Sequence, residues 1–185
     1  MNRPALFLWS VGSLVFFICG IIYAFVYQPP TGLNEIKINH LQENWLLVAN
    51  IWRAESLAAV MLAVSAASFA LDTKSLFWIV VAVGHIIMTL MFAFMLGAYP
   101  VATEYFEQAP ALFPLMNETA IWIFAFSNLL FMLGMAGVYY RDKILNTWIS
   151  KTAMVIAILG ILIILTIFFG WLTFSQFLVT GPVIS

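Results

Sequence analysis

Charge is the first thing this sequence is short of. Only 8% of its 185 residues are Asp, Glu, Lys or Arg, and 64% are hydrophobic, whereas about a quarter of a soluble domain is charged. A chain of that make-up cannot cover itself with polar surface, so its solvent is lipid. The seven Lys and Arg never form a run, which sets aside nucleic acid as a partner. Cysteine is nearly absent as well. Cys19 is the single one, so the chain holds no internal disulfide and no Cys-built metal cluster. Catalytic signatures are missing too: there is no HExxH, no GxSxG and no pair of intramembrane aspartates. Of the two histidines, His40 falls in a polar connection, which leaves His85 without a second haem ligand on another helix. Met91 and Met95, one turn apart, are soft thioethers of the kind that suits Cu(I), but methionine also fills gaps in apolar cores. No metal site is assigned, and no cofactor can be named.

What the chain does have is long apolar stretches. Residues 4–27, 45–71, 75–99, 119–140 and 148–177 are each about 20 residues or longer, enough at 1.5 Å per residue for a hydrocarbon core of about 30 Å. The first exceeds a signal-peptide core and lacks a small-residue cleavage site after it. The expected fold is therefore an all-α membrane protein, one integral membrane domain over residues 1–185 built as a five-transmembrane-helix bundle. Pro29, Pro30 and Gly32 open a polar connection over residues 28–44, part of it lying along the membrane surface. Asp72-Thr73-Lys74 is a tight turn that forces an antiparallel hairpin. Asn117 is expected to cap the fourth helix, with Glu118 at its positive end. Arg3, Lys74, Arg141, Lys143 and Lys151 fall on one side and Lys37 on the other. The positive-inside rule then gives a cytoplasmic N-terminus and an external C-terminus, in a multi-pass protein of the cell membrane.

The functional signal is polarity inside these stretches, because a charge at mid-membrane costs roughly 2.5–3.5 kcal/mol and so marks an interior or a wet site. Arg53 and Glu55 lie two residues apart and point to nearly opposite sides of one helix, so each needs its own partner. Ala49, Ser56, Ala63 and Ala70 recur every seven residues as a small-residue packing seam, with Arg53 upon it. From there Arg53 is expected to extend outward to Glu118 as an ion pair. Glu55, about 15 Å below Trp45 by helical rise, is placed near the midplane, close to Tyr23, Met91 and Thr166. Counting from the turn at Thr73 puts His85 level with Asn128 and Met61 and separates it from Glu55.

Three functions are compatible with this pattern. One is a small-ligand binding or transport protein whose outer-half pocket is lined by Arg53, Glu55, Glu118, Trp52 and Trp122, with Tyr23, His85 and Asn128 contributing. The aromatic connection around Tyr99, Tyr105, Phe106 and Phe113 would cover it. Another is an accessory subunit whose charges are sealed by partner membrane subunits. The third is an intramembrane enzyme that uses Glu55 or His85 for proton transfer. The partners implied are the lipid bilayer and a small or lipophilic ligand.

Overall fold

The computed structural model describes residues 3–30, 33–141 and 148–169, and over these the chain is helical, with no strand among the described residues. Helix α1 spans Arg3–Ile22 and runs on as a wider π-helical turn, Tyr23–Tyr27; it is followed by α2 (Asn34–Thr73), α3 (Leu76–Glu104), α4 (Leu112–Arg141) and α5 (Trp148–Phe168). Four segments are long and apolar enough to cross a membrane: Arg3–Tyr27, Asn34–Thr73, Leu76–Glu104 and Leu112–Arg141. In α5 the apolar stretch is shorter, Ser150–Thr166. Residues 170–177 of the expected fifth span lie outside the described residues, as do Asp142 and Lys143.

Three boundaries differ from those expected, for one shared reason: polar composition argues against lipid and not against a helix. Residues 34–44 are not a surface connection but the opening turns of α2, in which Ile38 and Leu41 are buried at helical spacing. At 40 residues, α2 is about 60 Å long, twice a hydrocarbon core. Helix α3 continues through Pro100 to Glu104, forgoing one backbone bond at the proline. Helix α4 starts at Leu112 and carries Pro114 in its first turn, where a proline costs no intrahelical bond. Asn117 is consequently inside α4 and not its cap; its Oδ1 accepts a hydrogen bond of 2.9 Å from the Tyr99 hydroxyl.

Each helix packs on its neighbour in sequence: α1 on α2, α2 on α3, α3 on α4 and α4 on α5. The α2–α3 turn is tight because Lys74 takes the left-handed conformation, φ 52°, which ends α2 in one residue. Next to that turn, Trp9, Phe69 and Trp78 form a core, with ring centroids 4.9–5.9 Å apart. The other end holds a second core in which Trp52 meets Tyr23, Trp45 and Tyr99 at 5.4–5.9 Å. Of the expected small-residue seam on α2, Ala49, Ala63 and Ala70 are buried and Ser56 is half-buried, while Arg53 does not lie upon it. Ala58, Ala59 and Ala66 are fully buried, whereas Val60 and Arg53 are exposed.

Helices α3 and α4 bring backbone against backbone at Gly84 and Gly134. A Cβ on Gly84 would lie 3.0 Å from the Ser127 carbonyl oxygen and from the Phe131 nitrogen. One on Gly134 would lie 2.6 Å from Val81 Cγ2 and 2.9 Å from both the Phe77 oxygen and the Val81 nitrogen. Backbone atoms cannot rotate away, so adding the methyl must part the helices. Gly134→Ala is expected to lower stability by about 1–3 kcal/mol in reversible unfolding from mixed micelles. Gly97→Ala, where a Cβ meets nothing within 4 Å, serves as the control and should be neutral or stabilising. Equal effects at the two positions would show that α3 and α4 are not in contact there.

The Tyr99–Asn117 bond links the same helices at their far end. Tyr99→Phe and Asn117→Ala should each cost about 0.5–1.5 kcal/mol. The double variant should cost less than their sum, because the second change removes a bond already broken. Strict additivity would mean that the two side chains do not interact.

Candidate functional site

Polar side chains gather at two levels of the bundle. Measured along α3 from Leu76, His85 is about 14 Å from the α2–α3 turn. Its ring is buried between Trp9 (centroids 6.1 Å apart) and Phe131 (5.1 Å). It borders a cavity of about 210 Å³ lined by Trp9, Ser13, Phe16 and Phe17 of α1, by Leu62 of α2, by His85 and Met88 of α3, and by Ser127, Asn128 and Phe131 of α4. Two of the polar lining groups are engaged. The Ser127 hydroxyl donates to the Gly84 carbonyl at 3.0 Å, and Asn128 Nδ2 donates to the Phe124 carbonyl at 2.9 Å. His85 Nε2 is different: it is buried and has no hydrogen-bond partner among the described residues. A buried polar atom left so costs about 1–3 kcal/mol, which makes it the chemically unfinished atom of the cavity.

The lining follows from the helical repeat. Trp9, Ser13, Phe16 and Phe17 stand at i, i+4, i+7 and i+8, which is one face of α1. On the opposite wall, the glycine approach of α3 and α4 sets Gly84 against Ser127, and the next residue of each helix, His85 and Asn128, then borders the cavity. Phe17 lines the cavity and is also among the exposed aromatics, so the cavity reaches the bundle surface on the α1 side.

The second level is about 27 Å along α2 from Thr73. Here Glu55 is 6% exposed. A Cβ on Gly20 would be 3.8 Å from its Oε1, and Cys19 and Tyr23 lie within Coulomb range of the carboxylate. Among the described residues no hydrogen-bond donor meets it. Expecting Glu55 near mid-bundle took Trp45 as the end of the span. With α2 running on to Asn34, Trp45 is not the end of the helix, and Glu55 stands near the middle of α2, 18 residues from Thr73 and 21 from Asn34.

The residues expected to share one pocket are therefore distributed. Tyr23, Trp52 and Glu55 are together at the far level; His85 and Asn128 are together at the cavity, level as counted from the turn. Arg53 stands apart, exposed, with Nη1 donating to Asn50 Oδ1 at 2.8 Å and no ion pair to Glu118. Glu118 is exposed as well. Trp122, 44% exposed, packs on Phe168 of α5 at 5.2 Å, outside any shared pocket with Trp52. Within the expected aromatic cover, Tyr99 and Phe113 are buried at 5.8 Å from each other, while Tyr105 is exposed. Met88 lines the cavity, and Met91 is buried in the far core. Among the described residues no three His, Cys, Asp or Glu side chains converge. Trp9, Ser13 and Ser127 join the site without a signal of their own in the sequence beyond the spacing of the first two on one face of α1.

Comparison of the chain with known protein families, with characterised proteins and with solved structures returned no match.

Proposed function

We propose that this is a five-span protein of the cell membrane that binds a small lipophilic ligand carrying one polar group in the cavity between α1 and α4. The observation that carries the reading is His85 Nε2, buried, unpartnered and beside that cavity. An ionisable side chain at mid-membrane is costly and marks function, and about 14 Å from the turn is the middle of a core of about 30 Å. A dry cavity of about 150 Å³ holds benzene, so one of about 210 Å³ suits a somewhat larger ring. Nε2 then supplies the single directional bond that fixes the ligand's orientation. The exposed Phe17 edge points to entry from the bilayer. The site is thus placed at mid-membrane and not in the outer half, because Arg53 and Glu118 face outward.

Orientation rests on Arg3, Lys74 and Arg141 at the ends that meet the α2–α3 turn, against Lys37 at the opposite end. This puts the N-terminus in the cytoplasm and, with α5 as the fifth span, the C-terminus outside. Reporter fusions at the two termini should show opposite sidedness; the same sidedness would remove α5 from the count of spans.

The ligand site is tested with 4-bromophenol and bromobenzene, two probes that differ by one hydroxyl and whose bromine quenches nearby tryptophan. Both should quench saturably in detergent, and Trp9→Phe should remove most of the effect. His85→Leu should weaken 4-bromophenol about 5- to 10-fold, as expected for one hydrogen bond of about 1–1.4 kcal/mol, and leave bromobenzene unchanged. Absence of saturable quenching by either probe, or equal weakening of both, would overturn the reading.

A further inference from the structure

His85 accounts for the cavity, and Glu55 plays no part in it. Glu55 is buried as a residue, 6% exposed, and an ionised carboxylate so placed requires donors or a cation to offset its lost hydration. Neutral groups lie near it, none of them hydrogen-bonded to it among the described residues, and no cation is among them. From α1 comes the Cys19 thiol, and from the π-helical turn the Tyr23 phenol. From α3 comes Tyr99, next in range to Tyr23, whose own hydroxyl proton is given to Asn117. On α2 itself the nearest cation, Arg53, is turned outward to Asn50. A metal cation would need several oxygen ligands, and among the described residues no group of three or more His, Cys, Asp or Glu forms around Glu55. A proton needs no coordination shell.

We propose that Glu55 is a proton-binding site, a carboxylic acid that keeps its proton at neutral pH beneath the Cys19–Gly20–Tyr23 segment. The proton removes the charge that would otherwise sit under α1, and so lets α1 lie against α2 at this level. The site is independent of the ligand cavity, and either can stand without the other.

Infrared spectroscopy of the full chain in lipid at pH 7 tests it. Protein grown with carboxyl-¹³C glutamate should show a protonated-carboxyl stretch at the isotope-shifted position, which needs no variant and no folding assumption. Glu55→Gln should lose that band while the bands of the exposed, ionised glutamates persist. Adding sodium at constant pH should leave it in place. If wild-type protein shows no protonated glutamate at pH 7, if the band survives Glu55→Gln, or if sodium abolishes it, the proposal fails; the last result would make a metal cation the occupant.

Discussion

The approach of α3 to α4 at Gly84 and Gly134 fixes the rest of the bundle, because it is set by backbone against backbone and leaves no side chain to adjust. Gly84 meets the Ser127 carbonyl, and the Ser127 hydroxyl returns a bond to the Gly84 carbonyl. That reciprocal contact locks the register of two antiparallel helices, and the adjacent residues, His85 and Asn128, inherit a common level. In lipid there is no hydrophobic gain from bringing two apolar helices together, so close packing and interhelical hydrogen bonds must hold them. The Tyr99–Asn117 bond does the same at the far end. Helix α2 is fitted to α3 by the tight turn at Lys74, and α1 is then laid over α2, with Gly12 against the Ala58 carbonyl.

From this register the bundle acquires layers. Near the turn, Trp9, Phe69 and Trp78 fill the space with rings. At mid-height the walls leave the cavity, across which Trp9 of α1 meets the His85 ring of α3. At the far end Trp52 is surrounded by aromatic rings, and two of these carry polar tips that reach Asn117 or approach Glu55. Tryptophan and tyrosine are placed this way at the boundary of a bilayer, where one end of the ring is dry and the other is wet. Arg53 at the same level keeps its guanidinium outside, held by Asn50 one turn away.

Much of this architecture was legible in the sequence, and the misreadings have identifiable causes. The apolar stretches gave the helices, and counting from the Asp72-Thr73-Lys74 turn placed His85 level with Asn128, because that turn is short and leaves little freedom. Helix ends were misjudged where hydropathy was used as a proxy for helicity: residues 34–44 are polar and helical at once, and Pro100 and Pro114 are accommodated near helix ends. The seven-residue repeat of Ala49, Ala63 and Ala70 is buried as expected, but Arg53, four residues after Ala49, falls with Val60 and Ala67 on the exposed side of it. The face of α1 toward the cavity was missed because that helix is apolar all round, so its two serines and its tryptophan stood out only once their partners were known.

Helix α1 is the one element common to both polar levels. Trp9, Ser13 and Phe16 border the cavity, while Cys19, Gly20 and Tyr23 cover Glu55. It is also the least buried of the four long spans, and its backbone packs chiefly on α2. At its far end it widens into the π-helical turn, where His40 Nε2 meets the Tyr27 carbonyl at 3.1 Å and ties the segment to the protruding part of α2. Helix α1 is thus held on two sides, by its backbone against α2 and by the rings of Trp9 and Phe16 against Trp78, His85 and Phe92 of α3, and it covers both polar levels without a polar side chain connecting them.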